Sequence, residues 1–285
     1  MTDIRLCEEV KRGGMNMDGT VGSVAVLRNS AKRFPLSTRA ESRPRVREFP
    51  HNSNTLAIPV TTNRLLQCVD NDHLLRLRQF IKRVSLAKDE YLYQQDDEMG
   101  VVYFPETAVI SEFQILEDGR TIEVGIIGSE GAVGVASAFI PSPAVNCTQV
   151  CVPGTALAIG RDILEREVIS DPTLRRCFHD YIQGQLRQLS QRAVCNTFHS
   201  VEQRFCTWLL TIHRRSRRDK FRLTHEHVAR VLGVHRPSVT CIAQTLRDKK
   251  LIDYGRARLV ICDKSGLENI ACQCGSESGQ SQGAH

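Results

Sequence analysis

The chain has 285 residues, a net charge of +6, 41% hydrophobic residues, few aromatics and 11 cysteines. Such a chain is long enough to bury two separate cores. It lacks the run of roughly 18 apolar residues of a membrane span and an apolar leader with a cleavage site, so a cytoplasmic globular protein with reduced thiols is expected.

Residues 1–61 show no sustained period. They hold Gly13-Gly14 and the run RFPLSTRAESRPRVREFP, which reads as a disordered basic arm without an assigned function. Asn63 then caps a short helix carrying Leu65 and Leu66, and Leu74, Leu75, Leu77 and Phe80 make a second amphipathic piece. From residue 84 to 161 short strand-like runs alternate with turn signals, and Asp118-Gly119 marks a hairpin. The spacing predicts a sandwich or jelly roll over residues 62–170. A jelly roll can house a catalytic metal, but that takes several histidines, and none lies between His73 and His179. Gly128, Glu130, Gly131 and Gly134 form a loop whose backbone amides can approach an anionic ligand. The competing reading is a set of tight turns.

Asp171-Pro172 opens a long helix predicted over 171–197. Ile182, Leu186, Leu189 and Ala193, with His179 and Asn196 on the same line, alternate spacings of three and four. This seam packs either on its own chain or on a second copy, and a homodimer would set two DNA-reading helices about one turn apart. A further helix is expected over 199–213, followed by the cationic loop RRSRRDK.

Residues 223–262 read as two helices, a tight turn and a hairpin. Thr224 is a suitable N-cap, Gly233 a suitable stop, and Pro237 suits the first position of a second helix that starts after Arg236. Val239, Ile242, Ala243 and Leu246 form a buried stripe. Arg236, Ser238, Thr240, Gln244 and Arg247 face the other way, as a helix entering a major groove requires. The hairpin carries Arg256 near its tip. Residues 198–266 are thus predicted as a winged helix-turn-helix, with a disordered tail over 267–285. Basic residues dominate 199–264 and acidic ones 62–170, which directs the basic half to a polyanion. A membrane surface would call for apolar anchors that this half lacks, so double-stranded DNA is the expected partner.

The order of acidic β-roll, seam helix and winged helix-turn-helix resembles the Crp/Fnr family of bacterial transcription regulators over residues 62–266. The segments VVYFPETAVISEFQILEDGRTIEVGIIGSEGAVG and LTHEHVARVLGVHRPSVTCIAQTLRDKKLIDY carry the resemblance. It implies an α+β fold with a cyclic-nucleotide-binding-like domain, a dimerisation helix and sequence-specific promoter binding. For some members it also implies contact with RNA polymerase. Thr224, His235 and Ser238 match phosphate-contacting positions, and Arg236 matches a base-reading arginine. Three departures stand out. No arginine lies between Arg120 and Arg161, so the guanidinium that grips a cyclic phosphate in nucleotide-binding members is missing and cyclic AMP is not expected. Only Cys7 precedes Cys68, so no N-terminal iron–sulfur cluster is expected. Pro237 and Cys241 replace residues that read bases elsewhere in the family, so the operator should differ.

Cys147 and Cys151 lie too far apart along a strand, at about 13 Å, for one disulfide. A lone Cys272-x-Cys274 does not specify a metal, and no metal site is assigned. The expectation is a non-enzymatic regulator with unknown effector. The alternative is a small-molecule or thiol sensor whose winged helix mediates protein contacts.

Overall fold

The structure, a computed structural model, describes residues 61–275. The basic arm and the last ten residues lie outside this range. Asn63 is fully buried and caps α1 (Arg64–Gln67) by accepting from the Leu66 amide at 3.0 Å. Its side-chain amide donates to the Pro105 and Gly131 carbonyls, so the cap also anchors the glycine-rich loop. Helix α2 (Asn71–Leu77) leads into a sandwich of two antiparallel sheets. One has the order β1 (Lys82–Leu86), β7 (Gly154–Gly160), β3 (Val101–Pro105). The other has the order β2 (Tyr91–Tyr93), β6 (Cys147–Val152), β4 (Val109–Ile115), β5 (Thr121–Ile127). The β4–β5 hairpin turns at the expected place. Ile115 faces Thr121, and Gly119 takes the left-handed conformation the turn requires.

Strand β6 is buried at every position. Half-buried antiparallel strands alternate, whereas a strand covered on both faces does not. Val150 enters the sandwich interior, while Cys147, Cys151 and Val152 join a core shared with the C-terminal helices. The four-stranded sheet therefore has a second cover, and that cover is the winged helix-turn-helix.

Helix α3 (Arg161–Ser170) packs on β7 and is followed by the long helix α4 (Pro172–Phe198). Asp171 caps α4 by accepting from Thr173 and Leu174, and Pro172 occupies the first turn. Leu174, Phe178 and Tyr181 are buried against the sandwich. A reciprocal capping box of Ser200 and Gln203 starts α5 (Val201–Ser216). Short β8 (Lys220–Arg222), α6 (His225–Leu232), α7 (Arg236–Asp248), β9 (Ile252–Gly255) and β10 (Arg258–Ile261) complete the winged motif. Gly233 ends α6 at φ 64°.

Two expectations are corrected. The chain does not become a tail after residue 266: α8 (Lys264–Ile270) buries Leu267 on α5, and a 3-10 turn, Gln273–Gly275, follows. Asp263 caps α8 through the Gly266 amide, a local signal masked by the polar composition. The run RRSRRDK is not one loop, because Arg214 and Arg215 belong to α5 and the chain turns at Arg217 with φ 54°.

Candidate nucleic-acid interface

Helix α7 rests on Val239, Ile242, Ala243 and Leu246, all buried. The opposite face is open. Arg236, its first residue, is exposed, as are Thr240, Gln244 and Arg247, while Ser238 is half-buried. These polar groups bond mainly to one another. Thr240 Oγ1 donates to the Arg236 carbonyl at 3.2 Å, Gln244 donates to Asp248 at 2.8 Å, and Arg247 reaches Gln244 at 3.5 Å. Such mutual bonds keep long side chains near one surface until better acceptors arrive. His235 is exposed at the N-cap without a capping bond. Thr224 differs: its hydroxyl accepts from the His227 amide at 3.0 Å and is used in capping α6.

His225 was missed by pattern reasoning. Its Nδ1 lies 3.0 Å from Thr240 Oγ1, and its ring meets Tyr254 edge-on at 4.6 Å. It therefore joins α6, α7 and the wing. Burial and the nearby Arg236 charge both lower its pKa, which keeps it neutral. Only the folded hairpin brings Tyr254 to it, so no sequence period reveals this contact. The wing turns at Arg256 and Ala257, with φ of 50° and 62°. Gly255, just before the turn, pairs with Arg258 across the hairpin.

Behind this surface, α5 and α6 are closed on the four-stranded sheet. Glu123 of β5 is buried, pairs with Arg192 of α4 at 3.1 Å, and accepts from Trp208 Nε1 of α5 at 3.1 Å. Burial raises its pKa despite these partners. Glu112 retains some accessible surface, yet desolvation of its carboxyl pushes it up to about 7 against the pull of Arg192 and Arg215. His227 of α6 lies between Phe113, Trp208 and Cys151. Burial lowers its pKa to about 3, so it is neutral.

The glycine-rich loop faces the same junction. Glu130 Oε1 accepts from the Gly128 amide at 3.0 Å and pairs with Arg215 of α5 at 2.7 Å. Arg215 also donates to the Ile126 carbonyl. Arg215 is thus held at the junction between the domains and is not part of the expected cationic loop. The Tyr181 hydroxyl donates to the Ala132 carbonyl and accepts from its amide, both at 3.0 Å. A Cβ at Gly131 would collide with the Tyr181 ring, so glycine is required there by close approach. Gly134, with φ 82°, turns the chain into the 3-10 helix Val135–Ala138. In this structure Arg215 holds Glu130 Oε1 and Tyr181 holds the Ala132 peptide groups, while Glu130 Oε2 is buried without a hydrogen-bond partner among the described residues.

On α4, Leu186 and Leu189 are 51% and 41% exposed, Ala193 is exposed and Ile182 half-buried. Val194 and Phe198 extend this apolar surface. Asn196, on the same line, accepts from Arg204 at 2.9 Å. Cys195, His199, Cys272 and Cys274, of which only the Cys272-x-Cys274 pair stood out in the sequence, come together at the end of α4. Their sequence separation hid them.

The thiols of Cys147 and Cys151 are buried, with pKa values pushed up to about 11 and about 12 by desolvation, which makes them unreactive. No helix among the described residues is long and apolar enough to cross a membrane.

Comparison with known proteins places these geometries in context. Residues 83–171 match the cyclic nucleotide-binding domain, and residues 203–270 match the Crp-like helix-turn-helix domain. No curated protein matches the sequence. Among solved structures, FixK2 from Bradyrhizobium japonicum superposes with a TM-score of 0.57 at 19% identity, over 67% of this chain and 98% of that one. The c-di-GMP responsive global regulator CLP of Xanthomonas campestris gives 0.56 at 17% identity, over 67% and 99%. A CRP-family transcriptional regulator from Thermus thermophilus gives 0.55 at 21%, over 67% and 96%. At these identities the structures establish the fold. The two matched domains, in this order and joined by a long helix, carry the assignment: the chain belongs to the Crp/Fnr family of transcription regulators.

Proposed function

We propose that the protein acts as a homodimer that reads a two-fold symmetric DNA operator, with α7 in the major groove and the wing on the flanking backbone. The observation that carries this reading is the exposed cationic and polar face of α7, set on a fully buried apolar stripe. Arg236 is the base-reading residue, because an exposed guanidinium at the start of a groove-bound helix can engage guanine O6 and N7 together. Thr240, Gln244 and Arg247 follow it along the groove. His235, Ser238 and Arg256 make positioning contacts to phosphate, and Thr224 supports them by capping α6. The exposed apolar line of Leu186, Leu189 and Ala193, flanked by Ile182, is the dimer surface. The protein regulates by binding and not by catalysis. The glycine-rich loop with Gly128, Glu130, Gly131 and Gly134 relays the state of the sensor domain to α5 through Arg215.

The deciding experiment is selection from a randomised duplex pool at near-physiological salt. The expected product is a palindromic motif with half-sites about one helical turn apart. Retention without a motif, lost steeply with added salt, would reduce the surface to a non-specific phosphate binder. Leu186→Asp combined with Leu189→Asp should yield a monomer in analytical ultracentrifugation that no longer holds the palindrome. Transcription in vitro with RNA polymerase from the recovered site then reads the sign of regulation.

A further inference from the structure

Cys195 and His199 lie on one side of the last turn of α4 and its cap, four residues apart. Cys272 and Cys274 arrive from the other end of the winged domain, flanking Gln273 in the C-terminal turn. The three Sγ atoms and one histidine nitrogen all fall within 4.8 Å of one another, with Cys274 Sγ 3.9 Å from His199 Nδ1. We propose that these four side chains form a tetrahedral Cys3His site for a single thiophilic divalent ion, of which zinc is the prototype.

The geometry is close to what such an ion needs. Zn–S bonds of about 2.3 Å and Zn–N bonds of about 2.0–2.1 Å put tetrahedral donors roughly 3.5–3.8 Å apart. The ligands therefore close by about 1 Å at most, a shift that side-chain rotation supplies. Donor softness selects zinc over calcium or magnesium. The cage is one atom wide, so it fits one ion and not a cluster of irons.

The surroundings support the same reading. The Cys272 amide donates to Thr207 Oγ1 at 3.0 Å, and that hydroxyl lies 3.1 Å from Cys272 Sγ, which holds the sulfur in place. Gln191 Nε2 reaches Cys195 Sγ at 3.9 Å. The Arg204 guanidinium interacts electrostatically with Cys195 and Cys272. Its Nε is buried and has no hydrogen-bond partner among the described residues, while its Nη1 donates to Asn196 and the Leu232 carbonyl. Three thiolates, a neutral imidazole and a divalent cation sum to one negative charge, and Arg204 is the cation beside it. These outer groups orient the ligands as they do in other metal sites.

The placement gives the ion a purpose. His199, followed by Ser200, links α4 to α5, where the long helix gives way to the winged domain. An ion bound there ties α4 to the far end of the winged domain and fixes the angle between them. This inference is independent of the operator reading.

The test uses the full-length chain, stripped of metal by chelator under reducing, anaerobic conditions and titrated with Co2+. Saturation at one equivalent per chain, with thiolate-to-cobalt charge-transfer and tetrahedral d–d bands that Zn2+ erases, is the expected result. Cys274 is only partly buried, so Cys274→Ser should leave the far-UV circular dichroism unchanged while weakening Co2+ binding by at least about tenfold. Absence of the charge-transfer bands would overturn the proposal. So would a Cys274→Ser spectrum identical to wild type, or a chain isolated from cells with Cys272 and Cys274 joined in a disulfide and no metal.

Discussion

The two faces of the winged helix-turn-helix obey different physics. The outer face of α7 is open to water, and its polar groups bond weakly to neighbours within a turn or two. The inner face, made by α5 and α6, is sealed on the four-stranded sheet by a shared apolar core, by the Trp208–Glu123 hydrogen bond and by the half-buried Glu130–Arg215 pair, with Arg192 of α4 closing on the buried Glu123 beside it. Exposed pairs are worth a fraction of a kcal/mol, whereas removing one partner of a buried pair strands a charge. The outer face is therefore free to change partners and the inner one is not.

The largest effect should come from breaking that seal. Arg192→Met leaves Glu123 buried with only the Trp208 N–H and smaller dipoles, and should cost about 3–5 kcal/mol of stability in urea unfolding. Adding Glu123→Gln should recover much of the loss, because the stranded charge is then gone. A cost below about 1 kcal/mol for Arg192→Met would place the pair with the surface bridges and erase the contrast between the faces.

Acid and base sharpen the same comparison. The charged groups facing Glu112 are Glu123 of its neighbouring strand, Arg192 of α4 and Arg215 of α5, and its pKa is raised to about 7. Below the ordinary carboxylate value the proton is held in folded and unfolded chains alike, and burial carries no penalty. Between that value and about 7 the unfolded chain ionises first, so stability falls as pH rises. Above about 7 the loss is complete, at up to about 3 kcal/mol before solvent screening at its accessible edge is discounted. Glu112→Gln should remove this contribution, so that the unfolding free energy falls less, or rises more, between about pH 5 and 7 than in the wild type. An unchanged slope would move the titration elsewhere.

On the open face the expected effect is smaller and selective. Arg236→Ala should cost about 1–3 kcal/mol per contact and relax discrimination at one base position in each half-site, read by fluorescence anisotropy on matched and mismatched duplexes. Uniform weakening on all duplexes, with a shallower salt dependence, would make Arg236 a phosphate contact instead.

The same division explains what the sequence made legible. The stripe Val239, Ile242, Ala243, Leu246 is periodic within one helix, so the outer face follows from spacing alone. The caps Asn63, Asp171 and Thr224 are local too, and each occupies its expected place. Every contact of the sealed face joins residues far apart: Glu123 with Trp208, Gln149 with Arg230, Gly131 with Tyr181. The continuous burial of β6 left a trace in CTQVCV, an apolar-rich strand without strict alternation, but not the identity of its cover. The four-ligand cluster was half visible as Cys272-x-Cys274, and its partners lie more than seventy positions upstream.

The wing offers the finest test. A two-residue hairpin loop of type I′ demands positive φ at both central positions, which is why Asn-Gly is usual there. This chain places Arg256 and Ala257 in those positions and puts its glycine one residue earlier. An L-residue in the left-handed region costs about 1–2 kcal/mol. Ala257→Gly removes that strain but adds backbone freedom to the unfolded chain, which takes back about 0.5–1 kcal/mol. The net gain should be no more than about 1 kcal/mol, seen as a small rise in Tm. Operator affinity should stay within about twofold, because the Ala257 side chain is only half-exposed and Arg256 is retained. A stabilised variant that loses affinity would mean that the strained turn itself holds Arg256 in its binding position, and rigidity would then join charge as a requirement of the open face.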